Sequence, residues 1–509
     1  MAGNTSSPIR QHPQETGRLG LPDQHIPLGD MRLPNILWIC TDQQRFDTLG
    51  CYGNRFVRTP NVDRLAQNGV LFERCYSQSP VCTPSRSSFL TGRYPRTTRC
   101  RQNGQSIPPD EVLVTRLLAE AGYTCGLSGK LHISACHPQA CPTTERRIDD
   151  GYAEFHWSHH PAPDWPTNEY IHWLREKGVR YEHSPFRGSR YVQVGMPAEH
   201  HQTTWCAQKA IHFIETNASF DRPWLFSVNF FDPHHGFDPP ADYLERYLDR
   251  LDDIPLPNYT PGELDNKPIF QQIDHLGAYN KPGVYPASEM TDEDHRLIRA
   301  AYWAMVDLID EQLGRMLTAL KAAGQLDNTI VIFMSDHGEM LGDHGLYLKG
   351  PHFYEPAVRV PLIISWPGVI GPDRRSGALV ELVDLAPTLL DAVGLARHPG
   401  MQGRSLWPML TGQTDLNCHW EDVYCEYYNA NFSHSPAAYA TMVRTDRYKL
   451  VAVHGLDAGE LYDLEQDPNE THNRWDDAEY QPVKLAMLKR LCDRMAWTAD
   501  PLPVRQVDW

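Results

Sequence analysis

The feature that most constrains the fold is a series of short, almost purely apolar segments separated by helical patterns. Continuous apolar runs of this kind are typical of strands buried on both faces of a sheet. The runs are 35–41 (NILWICT), 223–231 (PWLFSVNFF), 329–334 (TIVIFM) and 360–364 (VPLII). Helical patterns lie between them, the longest at 292–323. The alternation predicts an α/β fold with a mostly parallel central sheet flanked by helices.

Polar side chains follow several predicted strands at the point where each strand ends. The clusters are Asp42-Gln43, Lys130-Leu131-His132 (after a short strand predicted at 124–128), Asp232-Pro233-His234 and Asp336-His337. The carboxyl ends of parallel strands meet at one edge of a sheet, where ligands bind in such folds. The sequence therefore predicts that these clusters lie together in a single polar site.

The chain divides into regions of different composition. Residues 1–30 are polar and rich in Pro and Gly, which predicts a flexible arm without the apolar stretch of a signal peptide. A large α/β domain that carries the polar site is predicted over 31–414, with an irregular His-, Pro- and Trp-rich insertion at 137–205. Short strands and a covering helix predict a small C-terminal α+β domain with an antiparallel sheet over 415–509.

Charge and composition argue against several classes of partner. The 64 acidic and 47 basic residues give a net charge of −17, which disfavours a nucleic-acid partner bound through a broad basic surface. No segment approaches the roughly 20 apolar residues of a membrane span. The 12 Cys residues lack the spacing of a disulfide framework, so we expect a cytoplasmic protein with free thiols. An anionic substrate would need a local cationic pocket.

Cys82 is the strongest candidate for a reactive residue. Pro84 suits the first turn of a helix, which would place Cys82 at the helix N-terminus, where the dipole and free N–H groups favour an anion. The alternative is a structural thiol, because free Cys is among the most buried residue types.

The segment Cys82-Thr83-Pro84-Ser85-Arg86, with Thr91-Gly92-Arg93 downstream, resembles the signature of type I sulfatases of the alkaline phosphatase superfamily. The resemblance covers most of 33–475. It implies that a maturation enzyme oxidises Cys82 to formylglycine, whose hydrated aldehyde attacks a sulfate monoester and releases the alcohol. The remaining hydroxyl then expels sulfate, an exit that an ordinary Ser lacks. Residues 31–414 would be the catalytic domain.

The resemblance also implies a divalent metal that faces residue 82. Asp42, Gln43, Asp336 and His337 match the metal ligands of the family. Oxygen donors suit Ca²⁺, whereas an imidazole is more congenial to Mn²⁺. Some family members with an Asp-His pair are calcium enzymes, so Ca²⁺ is favoured and Mn²⁺ stays open.

The expected cationic pocket consists of residues that match positions around the sulfate in this family. Arg86 would hold the ionised nucleophile, and Lys130 and His132 would bridge the nucleophile and the sulfate. Lys349 would bind sulfate as a point charge, and His234 would protonate the leaving oxygen.

Two other functions stay open. Phosphonate monoester and phosphodiester hydrolases share the formylglycine and the Asp-Gln and Asp-His pairs, but they usually lack a pair such as Lys130 and His132. That pair favours sulfate monoesters. A non-catalytic anion-binding protein with an unmodified Cys82 is the alternative from another class, and the presence of every expected catalytic residue speaks against it.

The alcohol half of the substrate is less defined than the sulfate half. Aromatic residues of the insertion suit a sugar, an aryl ring or a quaternary ammonium, so a small-molecule or carbohydrate sulfate ester is expected; they are Trp157, Trp165 and Trp173. The insertion also contains histidines that complete no zinc pattern and are predicted to lie in a solvated loop, namely His156, His159 and His160. A homo-oligomer stays open, because the tail at 497–509 is suited to docking on a neighbour.

Overall fold

The structure, a computed structural model, describes residues 32–432 and 434–507, so the predicted arm at 1–30 lies outside the described residues. The strands are β1 (Asn35–Thr41), β2 (Val70–Tyr76), β3 (Thr124–Gly129), β4 (Tyr152–Trp157), β5 (Ser184–Pro185), β6 (Gln193–Val194), β7 (Trp224–Asn229), β8 (Thr329–Ser335), β9 (Arg359–Ser365), β10 (Arg374–Glu381), β11 (Val423–Tyr428), β12 (Tyr439–Arg444), β13 (Tyr448–Val453) and β14 (Ala458–Asp463). The α-helices are α1 (Pro60–Gln67), α2 (Cys82–Thr91), α3 (Pro95–Thr98), α4 (Val114–Glu120), α5 (Glu169–Glu176), α6 (Gln202–Asn217), α7 (Ala241–Leu248), α8 (Ile269–Leu276), α9 (Asp292–Ala322), α10 (Glu355–Val358), α11 (Leu385–Ala392), α12 (Trp407–Leu410) and α13 (Gln481–Trp497).

The large sheet has eight strands in the order β10-β2-β9-β8-β1-β7-β3-β4. The adjacent strands β8, β1, β7 and β3 are parallel, and β9 is antiparallel to both of its neighbours. The predicted mostly parallel α/β fold is therefore confirmed. The four parallel strands are also those that the polar clusters follow.

Helices cover both faces of the sheet, as the continuous apolar character of β1 requires. Leu37 and Ile39 of β1 belong to a buried cluster with residues of α6 and α9. Ile36 and Trp38, which point to the opposite face, belong to a second cluster with residues of α4 and α11. None of the helices in the described part of the chain combines the length and apolar character needed to cross a membrane.

The smaller sheet, β11-β12-β13-β14, is antiparallel as predicted, and α13 packs against it. The sequence predicts β12 and β13 with the observed bounds but not β14, whose Gly and acidic residues are poor strand formers. The described residues from Leu33 onward cluster as one compact unit. The two sheets share a buried cluster, and a domain boundary after residue 414 stays a prediction.

The insertion at 137–205 is more regular than predicted. It supplies β4, which pairs in parallel with β3 at the sheet edge, together with α5 and the first turn of α6. β4 (YAEFHW) has partly exposed and charged positions. Because it is an edge strand, it lacks the continuous apolar run by which buried parallel strands are recognised.

Candidate active site

The structure brings the polar clusters together at the carboxyl edge of the central strands. Asp42 and Gln43 follow β1, Lys130 follows β3, and Asp336 follows β8; all of these side chains are buried. The backbone N–H of Asp42 donates to the carbonyl of Asp232, which begins the cluster after β7, at 3.2 Å. The site is thus built on rigid strand ends rather than on long loops.

Cys82 begins α2 and points into this edge. Gly92 ends the helix in a left-handed conformation, with φ 68°, that glycine adopts readily. The Cys82 sulfur lies 2.9 Å from Lys349 Nζ and 3.2 Å from His337 Nε2. Burial alone would raise the pKa of the thiol, but the ammonium groups of Lys130 and Lys349 hold the pKa of Cys82 well below its usual value. An anion is therefore stabilised at this position.

Arg86 lies one helical turn after Cys82 and joins two strand ends. Its guanidinium donates to Asp336 (Nε to Oδ2, 2.8 Å) and to Asp42 (Nη2 to Oδ2, 3.2 Å). Lys130 Nζ forms a second ion pair with Asp42 Oδ2 at 2.6 Å. Burial and the Cys82 sulfur oppose ionisation of Asp42, but Lys130, His234 and Arg86 together outweigh them and lower the pKa of this carboxyl. Burial raises the pKa of Asp336 despite its contact with Arg86.

Four buried side chains fit a divalent cation site. One ligand atom from each of Asp42, Cys82, Asp336 and His337 lies within 4.8 Å of the others. The His337 ring donates Nδ1–H to the carbonyl of Gly338 at 2.9 Å, because a carbonyl oxygen only accepts. Its Nε2 lone pair consequently faces the other three groups, the orientation of a metal-binding imidazole. Carboxylate oxygens with one imidazole suit Ca²⁺ or Mn²⁺.

Gln43 is held beside these four side chains by Glu339, a residue that was not predicted to lie in the site. Its Nε2 donates to the buried carboxylate of Glu339, and its Oε1 accepts from Lys349 Nζ at 2.8 Å. The backbone at Gln43 is left-handed, with φ 66°, and its N–H donates to Asp336 Oδ1 at 3.0 Å. Such strained conformations in non-glycine residues cluster at functional sites. The one signal for Glu339 in the sequence is its place two residues after His337.

Close packing of strands places Lys130 and His132. Gly129 has φ 96°, and a Cβ there would lie 1.9 Å from a carbonyl oxygen at the end of β7, so only glycine fits. His132 is also left-handed, with φ 54°, and the buried carboxylate of Glu145 accepts its N–H at 2.8 Å. Lys130 Nζ lies 3.8 Å from the Cys82 sulfur, and the His132 side chain contacts the same sulfur. Both side chains therefore face Cys82, but burial and the charge of Lys130 lower the pKa of His132 to about 4, so Lys130 is the cation of the pair.

His234 is linked to the site by a hydrogen bond with Lys349. Its Nδ1 donates to the carbonyl of His235 at 2.6 Å, which leaves Nε2 as the acceptor of the Lys349 ammonium at 3.0 Å. Burial and the charge of Lys349 lower the pKa of His234 to about 4. His235 stacks on His234 with ring centroids 4.0 Å apart and turns toward Tyr279 instead.

One histidine of the insertion lies closer to the site than predicted. His159 is 8% exposed and packs edge-to-face on His132, with ring centroids 4.4 Å apart, so its prediction as a solvated residue is wrong. Trp157 and Trp165 are also buried, with their indole N–H groups bonded to Glu145 and to a backbone carbonyl, so they do not line an open pocket. The spacing of these residues cannot reveal this burial, because it arises when the insertion packs back on the edge of the sheet.

The site combines a stabilised anion at residue 82 with the buried ammonium groups of Lys130 and Lys349, an arrangement that suits the hydrolysis of an anionic ester. On this sheet, the site defines a hydrolase of the alkaline phosphatase-like class. Residues 34–395 match the family model for sulfatases, and residues 342–496 match the model for the C-terminal region of N-sulphoglucosamine sulphohydrolase. The chain belongs to the sulfatase family and is a sulfuric ester hydrolase.

Known proteins resemble this chain along nearly its whole length. The uncharacterized sulfatase YidJ of Escherichia coli is 30% identical, with 94% of this chain and 90% of YidJ covered. N-acetylglucosamine-6-O-sulfatase of Bacteroides thetaiotaomicron is 28% identical, with coverage of 91% and 86%. The phosphonate monoester hydrolase of Agrobacterium radiobacter has a similar structure, with a TM-score of 0.79 and 29% identity over 93% of this chain and 98% of that chain.

Proposed function

We propose that this chain hydrolyses a sulfate monoester to sulfate and an alcohol, with residue 82 as the nucleophile after a maturation enzyme has oxidised Cys82 to formylglycine. The observation that carries the proposal is the surroundings of the Cys82 sulfur. It lies within 3.8 Å of Lys130 and Lys349, at the start of a wholly buried helix. Two desolvated ammonium groups have no role beside an inert thiol. The negative charges of an ionised hydroxyl and a sulfate, by contrast, require such groups for stabilisation.

One divalent ion belongs to the proposal, with Ca²⁺ favoured over Mn²⁺. Asp42, Asp336 and His337 would hold it, with Gln43 adding an amide oxygen and residue 82 completing the set. When bound, the ion would polarise the sulfate oxygens and acidify the hydroxyl of residue 82. The Cys82 sulfur marks the place where the formylglycine oxygens would stand.

The protein's own polar side chains have separable tasks. Arg86 neutralises the carboxylates behind the nucleophile, at 2.8 Å from Asp336 and 3.2 Å from Asp42. Lys130 and His132 would hold the nucleophile and the sulfate on one side. Lys349, 2.9 Å from the Cys82 sulfur, would hold sulfate on the other. Buried and fixed, these groups stabilise developing negative charge without reorganising.

His234 is proposed as the general acid for the departing oxygen. Its Nε2 faces Lys349 rather than solvent, because Nδ1 is engaged by the carbonyl of His235. The entry of an anionic ester would raise the pKa of the imidazole, which would then receive a proton at Nε2 and pass it to the leaving group.

Hydrolysis of phosphonate monoesters or phosphodiesters is the alternative within the class, supported by the structural likeness to a phosphonate monoester hydrolase. Sulfate is favoured because Lys130 and His132 both reach the Cys82 sulfur. Parallel measurements of kcat/KM on p-nitrophenyl sulfate and p-nitrophenyl phenylphosphonate distinguish the two. A higher value for the phosphonate would reverse the order of the two proposals.

Mass spectrometry of the peptide containing residue 82 tests the nucleophile. In protein produced with a maturation enzyme, we expect an aldehyde that reacts with a carbonyl probe. Cys82→Ser should lose turnover because Ser cannot expel sulfate, while Cys418→Ser, a change at an exposed free thiol, should leave turnover unchanged. Unmodified Cys82 with no turnover under these conditions would favour the non-catalytic anion-binding protein. Full activity of Cys82→Ser would refute the proposed nucleophile.

A further inference from the structure

A second cavity, with a volume of about 500 Å³, lies apart from the residues around Cys82. Its lining includes Arg96, Arg101, Tyr428, Tyr439 and His454. The two guanidinium groups in its lining contrast with the net charge of −17 of the whole chain. We name it the Arg101 pocket.

Neither arginine of the Arg101 pocket is neutralised by an ion pair with a carboxylate of residues 32–432 or 434–507. Arg96 donates to the backbone carbonyl of Met495 at 3.1 Å, and Arg101 lies over the ring of Tyr428 at 5.8 Å from its centroid. The nearby carboxylate of Glu426 accepts the backbone N–H of Arg96 and the hydroxyl of Tyr428. Glu426 also attracts the charge of Arg96, so Arg101 is the guanidinium group without a nearby counter-charge among the described residues. Such a group is suited to bind sulfate or carboxylate in a bidentate manner.

The tyrosines give this pocket a second property. The rings of Tyr428 and Tyr439 lie 6.3 Å apart at an angle of 52°, and Tyr439 is 43% exposed. An exposed tyrosine offers an apolar ring face and a polar hydroxyl. Ring faces can pack on the C–H side of a sugar, while hydroxyl and guanidinium groups bond to its oxygens. This combination suits an acidic sugar better than a lone inorganic anion.

The pocket is tied to the start of α2 through one short loop. Gln102 donates from Nε2 to the carbonyl of Tyr428 at 2.8 Å. Asn103 accepts the N–H of Thr83, the neighbour of Cys82, at 3.0 Å. The Cα atoms of Arg101 and Asn103 are at most about 7 Å apart, the span of two extended residues. Residues 101–103 therefore connect the lining of the pocket to the start of the helix that carries Cys82.

We propose that the Arg101 pocket binds an acidic sugar unit, bearing sulfate or carboxylate, of an oligosaccharide whose ester-bearing unit occupies the site at Cys82. Binding of the acidic sugar stands on the pocket alone; its part in substrate selection rests on the proposed sulfate ester hydrolysis. The alcohol half of a preferred substrate is then an anionic oligosaccharide rather than a simple aryl or choline alcohol.

Calorimetric titration with a heparin-derived hexasaccharide tests the pocket, with uncharged maltohexaose as the matched ligand. Arg101→Ala should weaken hexasaccharide binding by about fivefold or more, the effect of losing one exposed charge contact, and added salt should shrink the difference. Arg64→Ala, which removes an equal charge from an exposed position on α1, should leave binding unchanged. Hydrolysis of p-nitrophenyl sulfate should be the same in both variants, because this substrate does not reach the pocket.

Equal affinity of wild type and Arg101→Ala for the hexasaccharide would overturn the proposal, as would equal binding of maltohexaose. Inorganic sulfate, titrated separately, distinguishes a simple anion site: an Arg101-dependent affinity as high as that of the hexasaccharide would also overturn it. Hexasaccharide binding that depends on Arg101 in a protein without any sulfatase turnover would leave the pocket standing and remove the proposed catalytic function instead.

Discussion

Glu339 accepts a hydrogen bond from the side-chain amide of Gln43 and so fixes which atom of that amide faces the cation site. One oxygen of Glu339 accepts Gln43 Nε2–H, and the other accepts the backbone N–H groups of Leu341 and Leu348. Because a carboxylate only accepts and an ammonium only donates, Gln43 turns its Nε2 to Glu339 and its Oε1 to Lys349, at 2.8 Å. Glu339 is thus a positioning residue for Gln43, the proposed metal ligand, and for the loop that carries Lys349.

Glu339→Gln should reverse this orientation. The new amide oxygen would keep the two backbone N–H groups, and its NH₂ would then face Gln43. Gln43 must flip, which turns its own NH₂ toward Lys349 and the metal. Changes in residues that orient metal ligands typically cost about 10–100-fold in metal affinity. Titration of metal-free protein with Ca²⁺, followed by intrinsic fluorescence, should show a loss of that size together with lower kcat.

The double variant Gln43→Glu with Glu339→Gln tests whether a second substitution restores calcium binding. Its carboxylate at position 43 can accept from the amide at position 339 and still present an oxygen to Lys349, so calcium affinity should recover in part. Glu245→Gln on the exposed face of α7 is the control and should bind Ca²⁺ as wild type does. Failure of the double variant to recover affinity, with the fold intact by circular dichroism, would mean that Glu339 only supports the loop.

Asp336→Ala should release the divalent ion. Asp336 provides one of the carboxylates in the cation set, and burial leaves no water to replace its oxygens. Elemental analysis of dialysed protein should find about one Ca²⁺ or Mn²⁺ per chain in the wild type and much less in the variant, with turnover reduced by several orders of magnitude. Asp391→Ala, at an exposed position of α11, should retain both. Equal metal content in wild type and Asp336→Ala would place the ion elsewhere.

Stability in acid should depend on Asp274, a buried carboxylate of α8. His352 and His434 contact it through Nε2 at 2.8 Å and 3.0 Å. Burial would raise the pKa of Asp274, but these hydrogen bonds outweigh it and lower the pKa from 3.8 to about 2. A carboxyl whose pKa is lower in the folded state stabilises the fold above its unfolded pKa. That contribution, about 2 kcal/mol, is lost as the pH falls from about 4 through 2.

Thermal unfolding of wild type and Asp274→Asn over a pH series measures this contribution. The difference in Tm should be largest near neutral pH and should narrow below about pH 4, where the wild-type carboxyl begins to take up its proton. Asp391→Asn should show no such trend. A gap between wild type and Asp274→Asn that stays constant down to about pH 3 would assign the role of Asp274 to packing instead of charge.

The central strands and their polar ends were predictable because both are local patterns. A continuous apolar run marks β1, β7 and β8 as buried, and parallel strands place their following residues at one edge. β2 (VLFERCY) and β10 (RRSGALVE) were not predicted, because their charged residues interrupt any continuous apolar run. They pair with each other across a bulge.

Prediction of the site was limited by contacts that have no local pattern. Glu339 and Gln43 are 296 positions apart in the chain, and His159 reaches His132 only because the insertion folds back. The roles of His132 and Lys349 came from the family resemblance, since a lone His or Lys in a loop is ordinarily solvated. Spacing therefore identified the edge of the sheet, and tertiary packing supplied the residues that orient its side chains.

The general acid is testable through the leaving group. His234→Ala should slow alkyl and sugar sulfates by about 10²–10⁴-fold, the usual contribution of general acid catalysis, because an alkoxide needs a proton in the transition state. p-Nitrophenyl sulfate should be slowed far less, since nitrophenolate departs with little help. The measurement is kcat/KM for a series of sulfate esters of rising alcohol pKa. The dependence of kcat/KM on that pKa should be steeper for the variant than for the wild type.

His235→Ala is the matched control, because His235 stacks on His234 at 4.0 Å but gives only its backbone carbonyl to the His234 Nδ1. Its dependence on leaving-group pKa should follow that of the wild type. Equal slowing of all esters in His234→Ala would mean that His234 binds sulfate or shapes the site. The proton would then come from Lys349, whose Nζ lies 3.0 Å from His234 Nε2, or from His235 if the control variant shows the steeper dependence instead.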